Sequence, residues 1–177
     1  RGFHAVIKKI WAMEQPVIAA VQGSALGGGM ELALACDFII ASQAAQFGQP
    51  EIKVGVYPPI AALMLSRLIP RKKAFELILT GDSIDARTAA QLGLVNAVAA
   101  PEEFENAVDA FVARLANSSG IVLRHAKRAA NLALRAEDFR ALAQIEELYL
   151  NELMQTHDAN EGLNAFMEKR APKWEEK

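Results

Sequence analysis

The stretch from residue 16 to residue 36 constrains the fold most strongly. After Pro16, residues 17–21 are apolar and rich in β-branched side chains, which predicts a buried strand. A turn at 22–24 follows, then three consecutive glycines at 27–29, and residues 30–36 predict a helix of small side chains. A buried strand joined to a helix through glycines is typical of layered α/β structure.

Further strands and helices follow this unit. Apolar runs predict strands at 37–41 and 94–98 and a short extended piece at 47–48, which makes three or four strands in all. Beyond Pro101 the pattern predicts helices and no strand. We therefore predict an α/β part over residues 1–100 and an all-helical tail over residues 101–177. A buried strand needs neighbours on both sides, and so few strands suggest a fragment. The tail helices are predicted at 102–116, 121–135, 138–156 and 159–169.

Composition narrows the range of partners. The formal net charge of −2 argues against nucleic acid or an anionic membrane as the main partner. The single cysteine, Cys36, cannot form an internal disulfide, which favours a reducing compartment. No apolar run reaches membrane-spanning length, and the three histidines have no ligand-like spacing. We expect a soluble intracellular protein without a metal site.

The glycine run is the first candidate for chemistry. Glycines between a strand and a helix let backbone N–H groups approach a ligand closely, and the helix start adds a partial positive charge. Such a site suits an oxygen that becomes anionic during a reaction. A P-loop is excluded because the Lys-Ser/Thr pair is absent, and the spacing does not fit a dinucleotide fingerprint. The alternative is close helix–strand packing without any ligand.

Two carboxylates near this run could supply acid–base chemistry. Glu31 lies in an apolar segment, where a charged group is costly unless it has a function. Glu51 follows in a loop beside a proline and a glycine, where it could equally be an ordinary surface carboxylate. Where two carboxylates share a site, one tends to keep its proton and can donate it while the other accepts. Addition of water across a double bond requires such a pair.

Several motifs together resemble the crotonase (enoyl-CoA hydratase/isomerase) family. They cover essentially the whole chain at the spacing that is typical of that family. They are Pro16-Val17-Ile18-Ala19-Ala20-Val21-Gln22-Gly23, Ala25-Leu26-Gly27-Gly28-Gly29-Met30-Glu31-Leu32-Ala33, Ala45-Gln46-Phe47-Gly48-Gln49-Pro50-Glu51, Leu79-Thr80-Gly81-Asp82 and the tail motif Glu161-Gly162-Leu163-Asn164-Ala165-Phe166-Met167-Glu168-Lys169-Arg170.

The resemblance implies a fold and a reaction. Residues 1–100 would be the C-terminal part of a ββα spiral core, and residues 101–177 a helical tail for oligomerisation and for covering CoA. Family members stabilise the thioester oxygen of an acyl-CoA as an enolate, and by position the N–H of Gly28 would contribute. Glu31 would be the general base that activates water and Glu51 the acid that protonates the α-carbon. No separate cofactor is implied, because coenzyme A is part of the substrate. The alternatives are an isomerase that uses Glu51 alone and a non-catalytic or RNA-binding relative.

Five further residues are implied as substrate contacts. Gly27, Tyr57 and Pro59 would line the acyl site, and Phe166 and Lys169 would help hold CoA. Pro59 replaces a glycine whose N–H helps hold the attacking water in hydratases of the family, and proline has no N–H. The Pro-Pro pair is similar to hydratases of cyclic dienoyl-CoA thioesters. Phe166 could instead pack in a core, and Lys169 could simply be solvated.

The resemblance also implies a homotrimer or a dimer of trimers, in the cytoplasm or, in a eukaryote, the mitochondrial matrix. Family chains extend well upstream of Arg1, and that portion carries the second oxyanion N–H. Four cations on one predicted helix could contact CoA phosphates or RNA, although a solvated helix face is the simpler interpretation. These cations are Arg124, Lys127, Arg128 and Arg135, and the apolar residues expected at a subunit contact are Ile145, Leu148, Leu150 and Leu153.

Overall fold

The computed structural model describes residues 2–54, 56–133, 147 and 151–177, apart from the side chain of Phe166. The chain divides into two compact units. The first comprises Arg1–Met13 and Val17–Ala110, and the second comprises Glu14–Pro16 and Phe111–Lys177. Each unit is described separately.

The first unit contains two small sheets. Strands β1 (Ile18–Val21), β3 (Phe38–Ser42) and β6 (Ala97–Ala99) form one sheet in the order β1-β3-β6 with both pairs parallel, and Ile18 pairs with Phe38. In the other sheet, β2 (Ser24–Leu26) pairs in parallel with β4 (Gln46–Gly48), and β4 pairs antiparallel with β5 (Ser83–Asp85). The parallel pairs require crossover connections, and α2 (Gly28–Ala35) supplies the crossover from β1 to β3.

The described residues thus contain six strands, and the prediction of three or four was too low. β2 and β5 have three residues each, too few to display a two-residue period. The turn predicted at 22–24 overlaps the first residue of β2. Asp85 both ends β5 and caps the next helix, α5 (Ala86–Gln91), because its side chain accepts a 2.7 Å hydrogen bond from the N–H of Thr88.

Helices cover the sheets of the first unit and complete its core. The inner side of α2 is buried, and Phe47 of β4 and Leu65 of α3 (Pro59–Leu68) lie in the same apolar cluster. Glu51 lies on a 3-10 helix, Pro50–Val54, where a loop was predicted. The remaining helices of this unit are α1 (Gly2–Ala12), α3 (Pro59–Leu68), α4 (Arg71–Thr80) and α5 (Ala86–Gln91).

The regular elements described beyond residue 100 are all helical, with no strand among them, as the sequence predicts. They are a 3-10 turn (Pro101–Glu103), α6 (Phe104–Ala116), α7 (Gly120–Ala133), a second 3-10 turn (Leu153–Gln155) and α8 (His157–Glu168). None of the described helices is both long and apolar enough to cross a membrane. Most of the helix predicted at 138–156 lies outside the described residues, as do Arg135, Ile145, Leu148 and Leu150.

A buried carboxylate organises the end of the second unit. Asp158 is fully buried and accepts hydrogen bonds from the Ser119 hydroxyl, from the N–H groups of Glu175 (2.8 Å) and Glu176 (3.0 Å), and from His157 Nδ1 (3.2 Å). Burial by itself raises the pKa of Asp158, but the hydrogen bonds from these donors outweigh that effect and lower the pKa to about 2. The ionised carboxylate therefore ties the C-terminal segment to the first turn of α8.

Candidate active site

Gly27 connects strand β2 to helix α2, and the candidate site lies around this connection. Its N–H donates to the carbonyl of Gly48 at the end of β4 (2.9 Å), and its own carbonyl accepts from the N–H of Glu31 (3.0 Å). Its φ of 54° lies in the left-handed region, where a residue with a side chain is strained. A glycine is thus required where the strand end meets the start of α2.

The Glu51 carboxylate lies directly against Gly27. A Cβ atom built on Gly27 would be 2.7 Å from Glu51 Oε1, so the missing side chain leaves the space that the carboxylate occupies. Gln49 is fully buried, and its side-chain amide also contacts the Glu51 carboxylate. With its amide oriented to satisfy the surrounding donors and acceptors, Gln49 donates to Glu51 Oε2 (3.1 Å) and Oε1 (3.3 Å). Gln49 lies within a family motif, but no local sequence pattern indicates its contact with Glu51.

Glu31 is held by the start of a different helix. Its side chain is buried, and Oε1 accepts hydrogen bonds from the N–H groups of Ile60 (2.8 Å) and Ala61 (3.0 Å). These are the second and third residues of α3, whose N–H groups have no acceptor within the helix. The carboxylate thus satisfies two otherwise unpaired donors, and they fix its orientation.

The structure brings the two predicted acids to the same end of α2. Glu51 contacts Gly27, the N-cap, and Glu31 follows four residues later, about 6 Å further along the helix axis. Residues four apart lie on the same side of a helix. Both acids are therefore associated with the first turn of α2, Glu51 by contact with its N-cap and Glu31 as a member of that turn. Their catalytic roles remain predictions.

The other residues predicted for the acyl site lie in the same unit. Gly28 is the first residue of α2, so its N–H has no acceptor within the helix. The ring of Phe3 covers its other side, 3.4 Å from a Cβ atom built on Gly28. Tyr57 is 69% exposed, and Pro59 is the exposed first residue of α3. Pro59 thus begins the helix whose next two N–H groups bind Glu31.

The two tail residues predicted to hold CoA belong to the second unit. Phe166 lies in α8, and its side chain is outside the described part of the structure. Lys169 is exposed immediately after α8, with a positive φ of 54°. No three His, Cys, Asp or Glu side chains among the described residues gather as a metal site would require. The acid pair is therefore the candidate site.

A family model described as enoyl-CoA hydratase/isomerase matches residues 1–177. The chain belongs to the enoyl-CoA hydratase/isomerase family. The resemblance to the crotonase family is thereby confirmed. A crystal structure of an enoyl-CoA hydratase from Bacillus anthracis superposes with a TM-score of 0.93 at 35% identity, covering 99% of this chain and 68% of that one. This similarity confirms the predicted α/β fold with a helical tail.

Two curated relatives within the enoyl-CoA hydratase/isomerase family carry informative names. The crotonyl-CoA hydratase of Syntrophomonas wolfei is 43% identical over 166 residues, which cover 93% of this chain and 64% of the relative. The cyclohexa-1,5-dienecarbonyl-CoA hydratase of Thauera aromatica is 38% identical over 179 residues, which cover 99% of this chain and 67% of the relative. The chain thus spans about two thirds of the length of these proteins.

Proposed function

We propose that the protein containing this chain hydrates the double bond of an enoyl-CoA thioester, with Glu31 and Glu51 as its acid–base pair. The proposal rests on the first turn of α2: Glu31 belongs to that turn, Glu51 contacts its N-cap Gly27, and the Gly28 N–H has no acceptor within the helix. A developing enolate oxygen near that N–H would be stabilised by the hydrogen bond and by the helix dipole.

The reaction assigns one proton transfer to each acid. Glu31 accepts a proton from water as the water oxygen forms a bond to the β-carbon, and the electrons of the double bond move onto the thioester oxygen. The enolate then collapses, and Glu51 donates a proton to the α-carbon. Each acid–base contribution is typically about 10² to 10⁴-fold in rate. The buried Glu31 and the half-buried Glu51 suit these separate tasks because different elements hold them.

The test measures hydration by loss of enoyl-CoA absorbance in the complete natural protein. Glu31→Gln and Glu51→Gln should each lower kcat at least 100-fold. The matched control is Glu76→Gln, which alters an exposed carboxylate paired with Lys73 at 2.7 Å on α4 and should leave kcat within twofold. Unchanged turnover in both active-site variants would refute the proposal.

The same variants distinguish an isomerase. If the double bond only migrates, a single carboxylate can move the proton, and Glu51→Gln should abolish activity while Glu31→Gln has little effect. The presence of both Glu31 and Glu51 favours hydration, because isomerisation needs only one carboxylate. Product analysis with a 3-enoyl-CoA substrate measures isomerisation directly.

The narrower substrate that we propose is a cyclic dienoyl-CoA thioester. Two observations support it: the named activity of the Thauera aromatica relative, and Pro59, whose missing N–H changes how water can be held. The comparison is kcat/KM for cyclohexa-1,5-dienecarbonyl-CoA against crotonyl-CoA. A preference for crotonyl-CoA of more than tenfold would contradict the cyclic substrate and leave hydration intact.

The remaining parts of the proposal concern assembly and cofactors. We propose a homotrimer or a dimer of trimers, which light scattering of the complete protein would measure. Of the four apolar residues predicted at a subunit contact, Leu153 lies among the described residues, and it is half-buried in the 3-10 turn before α8. The reaction needs no separate cofactor, since coenzyme A arrives with the substrate, and activity should survive dialysis against a metal chelator.

An RNA-binding role has little support from the cations of α7. Arg124 pairs with Glu176 at 3.2 Å, and Arg128 pairs with Glu152. The ammonium group of Lys127 donates to the carbonyl of Gln15 at 2.8 Å. These intramolecular partners compete with any phosphate. Salt-dependent RNA binding together with no CoA binding in calorimetry would reverse this conclusion.

A further inference from the structure

The start of α3 consists of two prolines followed by the two N–H groups that bind Glu31. Pro58 is the buried N-cap of α3, and its carbonyl accepts the Ala62 N–H at 2.8 Å. Pro59 is the first helical residue, the position at which proline is best tolerated because its missing N–H would have no partner in the helix. The helix therefore begins at a fixed point with a fixed φ.

The two oxygens of Glu31 are not equivalent in this arrangement. Oε1 receives both N–H groups, from Ile60 and Ala61. No described residue donates a hydrogen bond to Oε2. Every buried side-chain oxygen among the described residues has a hydrogen-bond partner. Oε2 has none, so it is not buried and reaches the accessible surface. One oxygen thus anchors the carboxylate, and the other is left to accept a proton.

We propose that Pro59 is a positioning residue for Glu31, and that it acts through the first turn of α3 rather than by contact with the substrate. The inference rests on the proposed function, in which Glu31 is the base. The proline ring limits φ to about −65°. This restriction keeps the N–H groups of Ile60 and Ala61 converged on Oε1, so that Oε2 points consistently to where water must bind.

A kinetic comparison of three variants tests this role in the complete natural protein. Pro59→Gly loosens the first turn and should lower kcat about threefold to fivefold, with KM changed by less than twofold. Pro59→Ala, a better helix former, should lower kcat less than Pro59→Gly does. The matched control is Pro70→Gly, which alters the exposed N-cap proline of α4 and should leave kcat within about 1.5-fold.

A rise in KM with kcat unchanged in Pro59→Gly would overturn the positioning role and indicate a direct substrate contact. Equal losses of kcat in Pro59→Gly and Pro70→Gly would also overturn it, because a general loss of helix stability would then explain both. Thermal unfolding of the two variants provides the matching stability measurement.

Combining variants separates this inference from the proposed function. In a Glu31→Gln background, Pro59→Gly should lower the residual kcat by less than about 1.5-fold, because the base through which Pro59 acts is already absent. A full threefold to fivefold loss in that background, alongside a large effect of Glu31→Gln alone, would contradict only the role of Pro59. Full activity of Glu31→Gln alone would contradict the proposed function and the inference together.

Discussion

Replacement of Gly27 by alanine tests the geometry of the site most sharply. The added Cβ atom would lie 2.7 Å from Glu51 Oε1 and 3.3 Å from its carboxylate carbon. Ordinary van der Waals contact begins near 3.4 Å, so the oxygen must move by about 0.7 Å. The backbone of Gly27 resists a compensating change because its N–H and carbonyl are both hydrogen-bonded, to Gly48 and Glu31.

The expected size of the effect follows from this displacement. A misplacement of about 1 Å can cost on the order of 100-fold in rate, so Gly27→Ala should lower kcat about tenfold to 100-fold. Alanine at a φ of 54° and a ψ of −124°, outside the αL region, should also cost about 1–3 kcal/mol of folding free energy. At that size the folded protein remains available for kinetic measurement.

Hydration of an enoyl-CoA by the complete protein is the assay, with Gly93→Ala as the control. Gly93 also has a positive φ, of 85°, but a Cβ atom there meets nothing within 4 Å. Both variants should lose stability in thermal unfolding because both glycines have a positive φ, whereas only Gly27→Ala should lose kcat. Equal kcat values for the two variants would refute the argument that Gly27 makes room for Glu51.

Three further predictions concern the hydrogen bonds that hold the carboxylates. Gln49→Leu removes the amide that donates to Glu51 and should lower kcat at least tenfold. An unchanged kcat would show that these hydrogen bonds do not hold Glu51 in its working position. In amide hydrogen exchange, the Ile60 and Ala61 N–H groups should be protected, and Glu31→Ala should remove this protection while Glu31→Gln retains it. The lowered pKa of Asp158 means that its contribution to stability is present above pH 3.8 and is lost as the pH falls through about 2. Asp158→Asn should therefore lower the Tm at pH 7 and have little effect near pH 2, and an equal Tm decrease at both pH values would contradict this account.

The sequence predicts the principal elements of the fold but not its short strands. Residues 17–21 and 37–41 are apolar and β-branched enough to identify β1 and β3. β2 and β5 are stabilised by pairing with β4, which is a tertiary interaction between segments distant in the chain. No local pattern carries that information. The local pattern predicts the start of α2 at residue 30, whereas the helix begins at Gly28, because glycine is a poor helix former and predicts a turn.

The site was predicted in part for a similar reason. Glu31 and Glu51 could be chosen because a carboxylate in an apolar run and a carboxylate in a family motif are visible in the chain. The backbone N–H groups that hold Glu31 come from residues 29 and 30 positions further along, and a backbone donor carries no side-chain signature. The prolines at 58 and 59 predict the start of a helix, and α3 confirms it, but the contact between that helix start and Glu31 is tertiary and has no local pattern.

The most direct test of the central claim is a crystal structure of the complete protein with an unreactive acyl-CoA analogue bound. We expect the thioester oxygen within about 3 Å of the Gly28 nitrogen, with Glu31 beside the β-carbon and Glu51 beside the α-carbon. A thioester bound elsewhere, or one with only a single carboxylate within reach of these two carbons, would contradict it.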